Sequence, residues 1–190
     1  REAALMDTKQ ISKPRTVYCP IEGVRICIYT DGSCSMARHE RLAHAGWGVA
    51  MDEDEKSDYN YSGAVQGPVQ TSYRAELRAV AHALAICKIP ALVMSDCKSV
   101  TSQIRKYLDT GYKPKDLPAP ELWAFVYDTL DLHPPGYFDF QWMPSHLDDP
   151  KRAGKRKQYL QQKFSSTTHI IGNVHADKLA DSGARRHNMD

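Results

Sequence analysis

The chain has 190 residues, 42% of them apolar, with 25 Lys and Arg against 23 Asp and Glu; this length and composition suit one soluble domain with its own core and exclude a disordered chain. No apolar run approaches the ~20 residues that cross a bilayer, and no secretory signal opens the chain. The five cysteines, Cys19, Cys27, Cys34, Cys87 and Cys97, form no CxxC pair, so they read as free thiols of an intracellular protein, nuclear or cytoplasmic, and not as a disulfide framework or zinc site.

Arg1 to Pro20 shows no periodicity and carries Pro14 and Pro20. It is expected to be a linker or edge-packing extension ahead of a single domain over residues 21–190. The start on Arg1 is what a piece of a longer protein would show. Val24, Ile26, Ile28 and Thr30 then alternate with Arg25, Cys27 and Tyr29, a strand of period two that runs into Asp31-Gly32-Ser33. Ala45 to Met51 reads as a second strand whose small residues permit close backbone approach. Asp52 to Asp58 is an acidic turn, and Tyr59 to Val65 completes an antiparallel meander.

Beyond Gly67-Pro68 a helix is expected from an N-cap at Thr71 or Ser72 to about Cys87. Its inward positions include Val80, Ala83 and Cys87, and one turn back from Val80 lies Glu76. Ala91 to Ser95 is a short strand that delivers Asp96 at its end. A helix through Val100, Ile104 and Leu108 follows, and strand and helix alternating in this way imply parallel pairing. Glu121 to Leu130 makes the next helix, Tyr137 to Met143 the fifth strand. Residues 147–171 read as a long basic loop, and the last helix is expected to begin near Gly172-Asn173, with Asp177, Ala180 and Ala184 on one face.

Four acids thus recur in one kind of place: Asp31 and Asp96 end strands, Glu76 and Asp177 top the inward faces of helices. Each alone has a structural explanation, as a turn residue, a cap or a dipole partner. Together they would meet at one edge of a mixed sheet, where mutual repulsion calls for a counter-charge. Hard divalent cations with oxygen ligands supply it, and magnesium suits carboxylates that share it with water and phosphate.

The segments Tyr29-Thr30-Asp31-Gly32-Ser33-Cys34, Ala45-Gly46-Trp47-Gly48, Thr71 to Leu77, Ser95-Asp96, Trp142-Met143-Pro144-Ser145-His146, Gly172-Asn173 and Ala176 to Ala180 resemble, in order, those of type 1 ribonuclease H. The Trp-x-Pro-Ser-His and Gly-Asn-x-x-Ala-Asp forms look most like the domains carried by non-LTR retroelement reverse transcriptases. The resemblance implies an α/β fold, a five-stranded mixed sheet (antiparallel meander, then parallel strands) with helices packed on it. It also implies hydrolysis of the RNA strand of RNA–DNA hybrids by a two-metal-ion mechanism. Asp31, Glu76, Asp96 and Asp177 match the metal-binding acids, with two Mg2+ ions (Mn2+ as substitute), and His146 matches a mobile-loop histidine for proton transfer or product release. Thr71 matches a holder of a DNA-strand phosphate, and Ser33, Cys34, Ser72, Tyr73 and Lys98 fall at nucleic-acid contacts. Ser72 and Tyr73 stand where bacterial members have asparagines, and Lys98 where they have glutamine. The basic helical handle of those enzymes is absent, so Lys155, Arg156 and Lys157, with Tyr159 and Phe164 nearby, are expected to grip the hybrid. The expected partners are the hybrid and a fused reverse transcriptase, with no membrane. A stand-alone cellular ribonuclease HI and a catalytically silent hybrid-binding module are the alternatives. A transposase or integrase of the same broad fold is disfavoured by Glu76 on the first helix.

Overall fold

The computed structural model describes residues 25–39, 41–51, 56–163 and 165–188. The expected N-terminal extension, the start of the first strand at Val24, most of the acidic turn and Phe164 lie outside them. The sheet comprises β1 (Ile26–Ser35), β2 (His44–Met51), β3 (Tyr61–Ala64), β4 (Ala91–Ser95) and β5 (Phe138–Trp142). Its order is β3-β2-β1-β4-β5. β1 runs antiparallel to β2, and β2 to β3, whereas β1–β4 and β4–β5 are parallel. This is the five-stranded mixed sheet implied by the sequence.

Helices cover both faces. On one lie α1 (Ser72–Ile86), α2 (Lys98–Thr110) and α3 (Pro120–Asp131); on the other lie α4 (Ala153–Leu160) and α5 (Thr167–Arg185). The main core joins Ile28, Val49 and Val93 to Leu77, Val80 and Leu84 of α1, Ile104 of α2 and Trp123 of α3. A second, smaller core joins Tyr29, Met94 and Met143 to Leu147, Tyr159, Ile170 and Ala176. Tyr29 is therefore fully buried, because a central strand between two helical layers has no wet face. Thr71 caps α1, its Oγ1 accepting from the Arg74 N–H at 3.1 Å, and Pro120 opens α3.

Three expectations need correction. β1 does not end at Asp31; it continues to Ser35, because β2 goes on pairing with it from Gly32↔Trp47 to Ser35↔His44 after the β4 partner has run out at Thr30↔Ser95. Residues 147–171 are not one loop. A 3-10 turn (Pro150–Arg152) leads into α4, and α5 has already begun at Thr167, since Ser166 supplies the N-cap by accepting from the His169 N–H at 3.3 Å. On α2, Tyr107 and not Leu108 faces inward.

Glycines set the spacing of the layers. A Cβ at Gly32 would lie 2.3 Å from the Glu76 backbone nitrogen, and one at Gly48 would lie 2.4 Å from the Ala176 carbonyl oxygen. α1 and α5 thus touch the strands backbone to backbone, at the heights where Glu76 and Asp177 leave their helices.

Candidate active site

Asp31 leaves β1 one residue beyond the last pairing with β4, where the sheet forks. Asp96 follows the end of β4 on the other side of that fork. Glu76 comes down from the second turn of α1, and Asp177 from the middle of α5. Carboxylate oxygens of Asp31, Glu76 and Asp96 all lie within 4.8 Å of one another. All four acids line one cleft of about 650 Å³, together with Ser145 and His146 from the loop after β5. A slightly larger hollow, about 710 Å³, lies beside His44, Gln70, Arg186 and His187, and among the described residues no carboxylate lines it.

Asp31 is 5% exposed and Glu76 7%. Burial, and then the charges of Glu76, Asp96 and Asp177, push the Asp31 carboxyl well above the usual carboxylate range. Burial, and then Asp96, push Glu76 the same way. Carboxyls brought this close cannot both stay ionised without a counter-charge between them. Asp96 is half-buried and also raised, first by burial; His146 and Asn173 pull it back toward the ionised form. Asn173, buried one turn before Asp177, comes close enough to favour that form, although its Nδ2 completes no hydrogen bond.

The carboxylates are held from behind. The Gly32 N–H donates to Asp31 Oδ1 at 2.8 Å, and the Trp142 indole N–H donates to the Asp96 carbonyl at 2.9 Å. Glu76 Oε2 is buried with no hydrogen-bond partner. A buried carboxylate oxygen without a donor, beside two other carboxyls, fits a cation and little else. The donor set is all oxygen, which suits a hard divalent ion.

The residues expected to meet nucleic acid divide into two groups. Ser33, Cys34, Ser72 and Tyr73 line the same cleft as the acids. Ser33 donates its hydroxyl proton to Asp181, and Tyr73 accepts from the Trp123 indole at 3.0 Å. Thr71 is spent on its helix cap, with the residue itself exposed. Lys98 stands outside the lining, its ammonium 5.7 Å from the Trp142 ring. Lys155 and Lys157 are exposed and Arg156 half-buried on α4; none of the three lines the cleft. Asp181 and Asn173 were missed as site residues. Both sit four residues from Asp177, so helical spacing from that acid is the signal that finds them.

Solved structures share this fold. A foamy viral protease–reverse transcriptase in complex with dsDNA aligns with a TM-score of 0.60 and 21% identity over 89% of this chain and 99% of its own. The PFV RNase H domain aligns at 0.58 and 24%, over 85% and 95%. LC11-RNase H1, solved with an RNA/DNA hybrid, aligns at 0.54 and 18%, over 86% and 99%. The fold is therefore that of the RNase H-like α/β domains. A "Ribonuclease H" of Polaromonas sp. (strain JS666 / ATCC BAA-500) is 29% identical over 174 residues, 85% of this chain and 89% of the relative. The sequence model of RNase H matches residues 24–185, and the chain belongs to the RNase H family of enzymes. Among the described residues no helix is long and apolar enough to cross a membrane.

Proposed function

We propose that this chain hydrolyses the RNA strand of RNA–DNA hybrids, with Asp31, Glu76, Asp96 and Asp177 holding two divalent cations, Mg2+ or in its place Mn2+. The convergence of four carboxylates on one open cleft carries this reading. When bound, such ions activate a water and stabilise the leaving oxygen of a phosphodiester.

The chain's own residues supply position and proton traffic. Asp31, at the fork, lies close to both Glu76 and Asp96 and would be the central acid of the set that holds the cations. His146, exposed at the rim, is the proton-transfer group of this reading. Ser33, Cys34, Ser72 and Tyr73 present small polar groups and one ring along the cleft, suited to 2′-hydroxyls and sugar edges and not to base sequence. Thr71 and Lys98, each next in sequence to a lining residue, and Lys155, Arg156 and Lys157 on α4 are the phosphate contacts of this reading. The free thiols Cys34, Cys87 and Cys97 accord with an enzyme working in the nucleus or cytoplasm.

The likeness to the foamy viral protein and the Trp142-to-His146 segment support a place beside a reverse transcriptase in a retroelement protein. The bacterial relative supports the alternative of a stand-alone enzyme. Magnesium-dependent cleavage of a labelled RNA–DNA hybrid, with duplex DNA and duplex RNA left intact, tests the activity. Binding of the hybrid without cleavage would instead make the chain a silent module.

A further inference from the structure

His146 is held in an unusual backbone state. Its φ is 51°, in the left-handed region that a residue with a Cβ adopts only when its surroundings impose it. The constraint comes from both sides. Before it, Met143 is buried and its N–H donates to the Ser95 carbonyl at 3.1 Å; after it, Leu147 is buried in the second core. The chain then folds back on itself. The Asp149 N–H donates to the His146 carbonyl at 3.2 Å, and the Arg152 N–H to the Asp149 carbonyl at 2.8 Å. Asp149 Oδ1 accepts from the Lys151 N–H at 2.8 Å.

This return brings the Arg152 guanidinium against Ser145. Its Nη1 donates to the Ser145 carbonyl at 2.8 Å, with Ser145 Oγ at 3.4 Å. The Ser145 carbonyl belongs to the peptide plane whose rotation defines φ of His146. A cation that fixes this carbonyl therefore fixes where the imidazole stands. The other end of the same segment is anchored by Tyr159 of α4, buried in the second core.

We propose that Arg152 is a positioning residue for His146, clamping the loop from behind so that the imidazole is held over the acids. The inference rests on the reading that His146 serves hybrid hydrolysis. It gives the segment between β5 and α5 a task separate from gripping phosphates, since Arg152 is half-buried and turned toward the loop.

The experiment compares kcat and KM on a hybrid for the parent, Arg152→Ala, Arg152→Lys, His146→Ala and the double variant Arg152→Ala/His146→Ala, with the imidazole proton resonance of His146 followed in parallel. Arg152→Ala should lower kcat by at least about tenfold, as misplaced catalytic groups do, with KM nearly unchanged. Arg152→Lys should recover part of the loss, because an ammonium keeps the charge but not the planar fork. The double variant should be no slower than His146→Ala, and the His146 resonance should move in Arg152→Ala while the rest of the spectrum stays. An equal loss in the His146→Ala background, or a raised KM with kcat intact, would overturn the proposal. A parent that does not cleave the hybrid would defeat the functional reading instead. The resonance alone then decides for Arg152: a shift supports the clamp, and its absence refutes it.

Discussion

Two parts of the cleft are built in opposite ways. Asp31 and Glu76 stand on a strand and a helix pressed together with no room for a Cβ at Gly32. Their carboxyls are buried, and nothing local can move them apart. His146 stands on an irregular loop, exposed, at a positive φ, and is held by hydrogen bonds to its neighbours' backbone. On the proposed function, the difference follows from task. Groups that hold cations must converge despite mutual repulsion, so rigid elements impose their approach. A group that exchanges protons with substrate and solvent must reach both.

That contrast can be broken most severely on the rigid side. Asp31→Asn should abolish hybrid cleavage while circular dichroism keeps the parent's helix and sheet signal; normal turnover would sink the cation-site reading. On the loop side, His146→Ala should slow turnover by about 10²-fold, the size expected for one general acid or base. Calorimetric titration should find its Mg2+ affinity unchanged, and a loss of cation binding would mean that His146 belongs with the acids.

Stability sharpens the same contrast. The folded Asp31 and Glu76 carboxyls titrate above their unfolded values. Their contribution is therefore most favourable below the usual carboxylate range near pH 4 and is lost as pH rises through the elevated folded values. Without divalent ions, Asp31→Asn should be more stable than the parent at neutral pH by about 1 kcal/mol, the ordinary size of a single-site effect with its sign reversed. The gain should shrink as pH falls toward 4, as read by urea denaturation across pH. Added Mg2+ should stabilise the parent more than the variant. The smallest effect is expected farthest from the cluster. Changing Lys155, Arg156 and Lys157 to Ala should weaken hybrid binding and reduce the log–log salt slope by roughly 0.9 per lost phosphate contact, with kcat unchanged. A parent-like slope would show that α4 faces no phosphate.

The rigid side was largely legible in the sequence. Strand alternation before Asp31, the Thr71 cap five residues before Glu76, and the face shared by Asp177, Ala180 and Ala184 each follow from local periodicity, and local periodicity fixes where a regular element points its side chains. The extent of β1 beyond Asp31 was not legible, because it depends on how long β2 keeps pairing with it. The segment after His146 was misread for a related reason. Residues 153–160 carry charges, a glycine and a single fully buried side chain, Tyr159. Such a stretch has no apolar stripe, and its helix is held by docking under the sheet and not by propensity. Asn173 and Asp181 were overlooked because their residue types point to no chemistry by themselves; only their spacing of four from Asp177 along α5 marks them.

The contact of Gly48 with α5 bears on how the protein opens. With a strand backbone lying against the Ala176 carbonyl, α5 has no layer of side chains between it and β2 over which to slide. Fluctuations that expose amides on α5 must therefore carry β2 and β1 with them, so that the elements bearing Asp31 and Asp177 open as one cooperative unit. The stretch from Pro144 to Leu160 is tied to the same unit, because Leu147 and Tyr159 are buried with Tyr29 of β1 and Ala176 of α5 in the second core. Amide exchange along that stretch should therefore keep pace with exchange on α5, so that the histidine arm and the acids are exposed in the same opening event.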